Sequence, residues 1–227
     1  MRLAVAIAVM LASGSAVASA EDYNVLELRA RAAPAPGDAR ARQFVHEFGM
    51  CIAEDRDAAN VLGEIPASDH SNDALFMLAE GQTGCVELND RLRYAPRFLR
   101  GPIAEYWFKK HFSGEAEARR LIAVYPEPSN EELDRLSPDE KSGVIMIDVA
   151  QCVAKGNPSG TTALFDTEVS SAAETEAFAA LAPVLSGCVP PGVQLQFGKF
   201  QLRGFLAEGA YRVAAAARAA ATQGAVQ

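Results

Sequence analysis

Apolar residues recur with the period of an α-helix in two separate stretches of the chain. The first stretch begins near Asp38 and has apolar positions at i, i+4, i+7 and i+8, namely Phe44, Phe48, Cys51 and Ile52. The second begins at the capping-box sequence Ser137–Glu140 and repeats this spacing at Ile145, Val149, Cys152 and Val153. Such spacing predicts one apolar helix face. The β-branched run 144–147 alone is also compatible with a buried strand, but the cap and the period favour a helix.

A second helix follows in each stretch. Its predicted apolar face comprises Leu75, Leu78 and Ala79 in the first stretch and Phe178, Leu181, Ala182 and Leu185 in the other. Ser171 with Glu174 is typical of a capping box, whereas Pro183 argues against an unbroken helix. Both helices end in a Gly-Cys pair, for which we expect a left-handed C-terminal cap, at Gly84-Cys85 and Gly187-Cys188.

A third helix carries the triplet Leu-Arg-Gly in both stretches, at 99–101 and 202–204. In the second stretch the alanine-rich sequence predicts a helix from about Phe200 to Ala221. In the first stretch we expect Pro102 to kink the helix or to reset its start. Loops of unequal length, at 55–57 and 156–160, are expected between the first and second helices.

The two stretches read as two copies of one unit. Each Leu-Arg-Gly triplet begins 14 residues after a Cys-Val pair, and Ala-Glu follows it in both copies. The period of about 102 residues is far longer than the roughly 20–50 residues of solenoid repeats, which favours a tandem domain duplication. We therefore predict a mainly α-helical protein with pseudo-twofold or translational symmetry. Its predicted parts are an N-terminal segment 21–37, unit 1 at 38–122, a linker at 123–136, unit 2 at 137–221 and a tail at 222–227.

The four cysteines predict two structural disulfides. Three pairings are open to four cysteines, but a unit that once folded alone had to pair its own two. We therefore predict Cys51–Cys85 and Cys152–Cys188. The close Cys-X-X-Cys pairs that zinc sites and redox-active cysteines use do not occur in the sequence.

The first twenty residues have the pattern of a signal peptide. Arg2 precedes ten apolar residues, 3–12, and a small-residue segment ends in Ala18-Ser19-Ala20. Ten apolar residues are too few to span a bilayer, which needs about 20. We therefore expect cleavage after Ala20, no transmembrane anchor, and export to a bacterial periplasm or secretion, where disulfides form.

The charge balance limits the partners. Of the 21 basic residues only Arg2 lies in the predicted signal peptide, so the exported chain has 20 basic and 29 acidic residues. That excess of negative charge argues against nucleic acid, whose affinity depends on neutralised phosphates, and disfavours anionic lipid surfaces. A soluble protein that binds an unknown protein or small molecule fits this composition, and nothing in the sequence indicates a cofactor or a metal.

Two charged residues recur in both units and are the leading candidates for a ligand site: Arg100 and Glu105 in unit 1, and Arg203 and Glu208 in unit 2. Arginine suits a carboxylate or phosphate, and glutamate can act as a counter-charge or a base. The alternative is that each arginine binds helix carbonyls and each glutamate interacts with the helix dipole. Residues five apart on a helix lie about 140° apart, so the two need not face each other.

Other candidates are weaker. Gly101 and Gly204 adjoin these arginines and suggest close approach of another helix or of the disulfide, since a glycine inside a helix costs about 1 kcal/mol. The three histidines show no metal-binding spacing, and Asp69-His70 beside Ser68 and Ser71 reads as a polar turn before a helix. A basic run reads as a solvated face or as a dock for an acidic partner, and it comprises Arg91, Arg93, Arg97 and Arg100. Trp107 and Phe108 read as core, and the basic residues Lys109 and Lys110 after them complete the C-terminus of a helix.

These observations favour a non-catalytic binding or interaction module. No nucleophile–base pair, metal spacing or phosphate-binding loop is shared between the two units. The alternative hypothesis is an enzyme whose site lies between the units and uses Arg100 or Arg203 with Glu105 or Glu208.

Overall fold

A computed structural model describes residues 36–81, 83–85, 95–112, 128–190 and 197–224. The predicted signal peptide, the segment 21–35, the end of unit 1 at 113–122, and Arg91 and Arg93 lie outside the described residues. Within the described ranges the chain is mainly helical and has no strand. The predicted fold class, two helical units that each contain one disulfide, is confirmed.

The described α-helices are α1 (Pro36–Ile52), α2 (Asp69–Gly81), α3 (Arg100–Phe112), α4 (Asn130–Arg135), α5 (Pro138–Gly156), α6 (Pro158–Phe165), α7 (Ala172–Cys188) and α8 (Lys199–Gly224). Three 3-10 helices supplement them, at Arg56–Gly63, Thr83–Cys85 and Pro96–Leu99. The helices α1 to α3 belong to unit 1, and α5 to α8 belong to unit 2.

The long helix predicted at the start of unit 2 is confirmed as α5. Ser137 accepts a hydrogen bond from the Glu140 backbone N–H, the Glu140 carboxylate accepts one from the Ser137 N–H, and Pro138 occupies the first turn. This capping box satisfies N–H groups that a helix start leaves without partners. The β-branched run is buried inside the helix, because α5 packs against both α8 and α7.

The loops expected between the first and second helices are helical, which corrects that prediction. In unit 1 the 3-10 helix Arg56–Gly63 begins at Asp55, whose carboxylate accepts from the Asp57 N–H at 3.0 Å. In unit 2 Asn157 accepts from the Gly160 N–H at 2.9 Å and begins α6. Short capped helices of this kind lack the long apolar period that identified the others.

The second helix of unit 2 differs from its prediction at two points. α7 continues through Pro183. Proline has no N–H, so the Ala179 carbonyl loses its helical partner, but Pro183 and Ala179 both lie on the exposed side of the helix. The left-handed cap predicted at the Gly-Cys pairs is wrong: neither Gly84 nor Gly187 has a positive φ. Instead, α7 extends to Cys188, and the Val189 N–H donates to the Leu185 carbonyl at 3.2 Å.

The left-handed backbone occurs before the second helix of each unit. Ala67 has a φ of 63° and Ser170 a φ of 65°, at matching positions in the two units. The next residues, Ser68 and Ser171, accept hydrogen bonds from the N–H groups of Ser71 and Glu174 at 3.1 and 3.0 Å. The two units therefore enter their second helices through the same turn.

The predicted linker contains a helix of its own. Ser129 and Glu132 form a second capping box, and α4 has no buried residue.

Both predicted disulfides are present and join the first helix of each unit to the end of its second, Cys51–Cys85 and Cys152–Cys188. The units meet where α3 packs against α8, and the residues of this contact lie in the buried core.

Candidate functional site

The two units touch most closely at a pair of glycines. A Cβ atom built on Gly101 would lie 2.3 Å from the Cα of Gly204, and one built on Gly204 would lie 3.0 Å from the Cα of Gly101. Contacts below 3.0 Å are not found between real atoms of this kind, so any side chain at Gly101 would force the helices apart. Of the two reasons predicted for these glycines, close approach of another helix is the correct one.

Arg100 of unit 1 pairs with Glu208 of unit 2 beside this crossing. Its Nε donates to Glu208 Oε2 at 2.7 Å, and its Nη2 donates to Oε1 at 2.8 Å. The remaining N–H groups donate within unit 1, to the carbonyls of Val61 and Glu64 and to Ser71 Oγ. A guanidinium has five N–H donors, and all five of Arg100 are therefore occupied.

Arg203 of unit 2 pairs with Glu105 of unit 1 in the same way. Its Nε donates to Glu105 Oε2 and its Nη2 to Oε1, both at 2.8 Å. Its other contacts lie within unit 2 and are Thr167 Oγ1, Glu174 Oε1 and the carbonyls of Phe165 and Thr167. Ser71 and Glu174 occupy the same place relative to their arginines, 29 residues before each.

A second pair of basic residues repeats this exchange between the units. Lys109 donates to the carbonyl of Phe165 in unit 2, and Arg212 donates to the carbonyl of Leu62 in unit 1. Each also contacts the glutamate one turn before it: Lys109 Nζ lies 3.0 Å from Glu105, and Arg212 Nη2 lies 2.8 Å from Glu208. Reciprocal contact of this kind is what a twofold arrangement produces.

The pKa values of the two buried glutamates, Glu105 and Glu208, depend on burial and on the basic residues that they contact. Burial alone would raise the pKa of Glu208, but the charges of Arg100 and Arg212 and their hydrogen bonds outweigh it and lower that pKa below 4.5. Burial also raises the pKa of Glu105, but the hydrogen bonds from Arg203 and His46 lower it more strongly, so that the net shift is downwards. Both carboxylates are therefore charged at neutral pH.

The four predicted site residues lie together at the unit boundary, but they contact one another. All are buried, with exposed fractions of 6% for Arg100, 1% for Glu105, 2% for Arg203 and 2% for Glu208. Within a unit the arginine and the glutamate do not pair, as their 140° separation indicated, and each finds its partner in the other unit. A ligand carboxylate or phosphate would have to displace a partner that is already in place.

The remaining candidates take structural positions. His46 Nε2 lies 3.1 Å from Glu105 Oε2, and His111 stacks on Trp107 with centroids 5.1 Å apart. The exposed His70 lies 3.5 Å from Glu64. Trp107 and Phe108 are buried, as expected. Lys109, predicted to complete its own helix, instead contacts Glu105 and unit 2.

A cleft of about 460 Å³ opens beside the glycine crossing, between the two units. Its lining includes the buried pair Arg100 and Glu208 beside Gly101 and Gly204, and from their burial we assign these four residues to the floor. The rest of the lining is mostly aromatic and apolar and comprises Pro66, Phe98, Met146, Phe197, Phe200 and Phe205. The other polar residues of the lining are exposed or half-buried, and we assign them to the mouth: Arg97, Asp139, Ser142 and Gln201. A volume between about 300 and 1,000 Å³ is typical of small-molecule sites.

The corresponding region on the other side of the crossing is more closely packed. Asp139 at the mouth is exposed, whereas its counterpart Asp38 in α1 is 5% exposed. The cleft residue Gly143 corresponds in position to Arg42, a far larger side chain. Gln43 donates to Glu168 Oε1 at 2.8 Å and to the Val169 carbonyl at 3.0 Å, which ties α1 to unit 2.

A second groove, of about 580 Å³, is more open and lies between the exposed helix α4 and α5. It is lined by one unit and its linker, including Leu133, Val144 and Gln151. Among the described residues of its lining there is no aromatic side chain. We therefore place the candidate ligand site in the cleft at the unit boundary.

Sequence reasoning missed the aromatic lining and the second basic pair. Lys109 and Arg212 are 103 residues apart, the same separation as Arg100 and Arg203, so the repeated spacing in the sequence could have revealed them. The cleft could not be found in this way, because three of its four phenylalanines have no aromatic counterpart: Phe98 corresponds to Gln201, Phe200 to Arg97 and Phe205 to Pro102.

Within the described ranges, no cluster of three or more His, Cys, Asp or Glu side chains is placed to hold a metal ion. Among these same residues no helix has the length and apolar character that crossing a membrane requires. Comparison with protein-family models, with curated protein sequences and with solved structures finds no match. The two disulfides indicate an oxidising compartment.

Proposed function

We propose that this protein is an exported, non-catalytic binding protein whose ligand occupies the cleft at the boundary of its two units. The observation that carries the proposal is the aromatic cleft beside the glycine crossing, which residues of both units line. The signal-peptide pattern, the disulfides and the acidic composition support a bacterial periplasm as its compartment.

The difference between the two sides of the crossing supports a ligand site. Both units contain the paired Arg, Glu and Gly residues that hold the helices together, as folding requires of each. The cleft lies on one side, where Gly143 and an exposed Asp139 stand in place of Arg42 and a buried Asp38. Gly143 also packs closely against Pro66, where an added Cβ would lie 2.8 Å from the Pro66 Cβ, so the exposed Asp139 is the difference that supports a ligand site.

No observation favours the enzyme alternative. Arg100 and Arg203 have their N–H donors occupied by carboxylates, carbonyls and hydroxyls. A catalytic base or an anion-binding arginine must be available to the substrate. The cleft walls supply aromatic rings rather than a nucleophile with an adjacent base.

The proposal can be tested with a matched pair of tryptophan variants. Ser142 and Ser186 are both exposed helical serines whose Oγ donates to the carbonyl four residues earlier, at 2.8 and 2.9 Å. Ser142 lies at the mouth of the cleft and Ser186 does not. Ser142→Trp should therefore obstruct the cleft, whereas Ser186→Trp should leave it open.

The measurement combines native mass spectrometry of the protein purified from its host with thermal unfolding in a collection of small molecules. We expect a bound compound, or a rise in Tm, for the unmodified protein and for Ser186→Trp, and its loss in Ser142→Trp. The proposal is wrong if no compound binds, or if Ser142→Trp binds as well as the unmodified protein does.

A further inference from the structure

This inference rests on the proposed function and concerns the chemical class of the ligand. We propose that the cleft binds a small amphiphile, a molecule with an apolar tail and one polar end, and that the tail enters first. The polar end then stays at the mouth, among Arg97, Asp139, Ser142 and Gln201.

The charged groups at the floor of the cleft are already hydrogen-bonded to the protein. All five N–H donors of Arg100 are engaged, two of them by Glu208. Glu208 accepts three hydrogen bonds at Oε1 and one at Oε2, from Arg100 and Arg212, at 2.7 to 3.2 Å. A polar ligand group placed there would lose its water and would have to compete with partners already in place, which is unfavourable.

The walls favour apolar contact above this floor. Phe98 is 6% exposed and Met146 is 5% exposed, and the ring of Phe200 lies 6.1 Å from that of Phe98. Phe197 and Phe205 are half-buried and add further ring surface. These rings belong to both units, so an apolar tail between them gains contact with each unit at once.

The polar groups of the lining are found where it meets solvent. Asp139 and Ser142 are exposed, and Arg97 and Gln201 are half-buried. Arg97 also lies over the ring of Phe98, 5.6 Å from its centroid. The more exposed polar groups thus surround the opening, and the buried Arg100–Glu208 pair lies at the base with its partners in place. The ligand should therefore have its polar end at the opening and its apolar end towards the base.

The size of the cleft selects a small molecule rather than a protein segment. A volume of about 460 Å³ accommodates one drug-sized compound. A specific protein–protein interface buries about 800 Å² on each partner, and the cleft is a local opening at the boundary of the two units. We therefore assign a small amphiphile as the occupant and not a second protein.

The test compares octan-1-ol with octane-1,8-diol, which have the same chain length and differ by one terminal hydroxyl. Binding is measured by isothermal titration calorimetry on the disulfide-bonded protein. We expect the diol to bind at least tenfold more weakly, because its second hydroxyl would lose its water at the floor, where Arg100 and Glu208 already have their protein partners. Hexan-1-ol should bind about 15-fold more weakly than octan-1-ol, at about fourfold per methylene.

The two tryptophan variants show whether octan-1-ol binds in the cleft. Octan-1-ol should bind Ser186→Trp normally and Ser142→Trp weakly or not at all. Equal affinity for octan-1-ol and the diol would overturn the tail-first inference while leaving the binding function intact. The same conclusion follows if another small molecule binds in the cleft and octan-1-ol does not, or if a protein chain or second copy occupies the cleft. If nothing binds to the unmodified protein, the proposed function itself is wrong.

Discussion

Arg100 and Glu208 form a bidentate ion pair across 108 residues of sequence, with Nε 2.7 Å from Oε2. Arg203 and Glu105 form its counterpart across 98 residues. Each unit thus supplies the arginine of one pair and the glutamate of the other. The two pairs flank the point where Gly101 meets Gly204, so the contact between the units combines close backbone packing with buried charge.

The first prediction concerns the buried pair Arg203–Glu105. Replacing Arg203 by Met leaves the Glu105 carboxylate buried without its main partner, and breaking a buried pair in this way costs about 3–5 kcal/mol of unfolding free energy. The Arg203→Met/Glu105→Leu double variant should lose less than the sum of the single losses. Urea unfolding of the four proteins measures the coupling, and additive losses would contradict the pairing.

The second prediction concerns the glycine crossing. Gly101→Ala should destabilise the protein although Ala favours a helix by about 1 kcal/mol, because its Cβ would lie 2.3 Å from the Gly204 backbone. Gly187→Ala is the matched control: it lies in α7 and has nothing within 4 Å of its added Cβ. That control should be neutral or slightly stabilising in thermal unfolding. If both variants behave alike, the close approach is not as described.

The third prediction concerns acid. The folded-state pKa values of Glu105 and Glu208 are below their ordinary value of 4.5. A lowered pKa gives stability that is fully present above pH 4.5 and is lost as the pH falls towards the folded value. Unfolding free energy should therefore be nearly constant just above that pH and decline below it. Glu208→Gln has no carboxyl group to titrate at this position. Its unfolding free energy, measured by circular dichroism, should be lower at pH 5 and should decrease less between pH 5 and pH 3 than that of the unmodified protein.

The fourth prediction concerns the disulfides. Peptide mapping without reduction should yield the Cys51–Cys85 and Cys152–Cys188 peptides. By the chain-entropy estimate, closing loops of 34 and 36 residues stabilises each unit by about 4 kcal/mol. Cys152→Ser/Cys188→Ser should lower the urea midpoint by a corresponding amount. A peptide that joins Cys51 to Cys152 would contradict the structure.

The sequence predicted features that are local or that recur in both units. The helical period around Cys51 and Cys152, the capping box at Ser137 and the pairing of the cysteines followed from local patterns or from the duplication, and the structure confirms them. These features either depend on a few neighbouring residues or occur at matching positions of both units.

Of the features that depend on contact between the units, only the close approach of another helix at Gly101 and Gly204 was predicted. Arg100 lies five residues from Glu105, and nothing in that spacing shows that its partner is Glu208 instead. The cleft has a similar origin, because its walls combine Phe98 of unit 1 with Phe200 of unit 2. The left-handed Gly-Cys cap failed for a local reason, since the helix in unit 2 continues through Gly187.

The exchange of contacts between units also determines when the protein can complete its fold. The Leu62 carbonyl accepts a hydrogen bond from Arg212, which lies 150 residues later in the chain. Arg100 pairs with the carboxylate of Glu208. During synthesis, unit 1 therefore has a basic side chain without its carboxylate until residue 208 has emerged from the ribosome. Its complete core forms only after most of unit 2 has been synthesised.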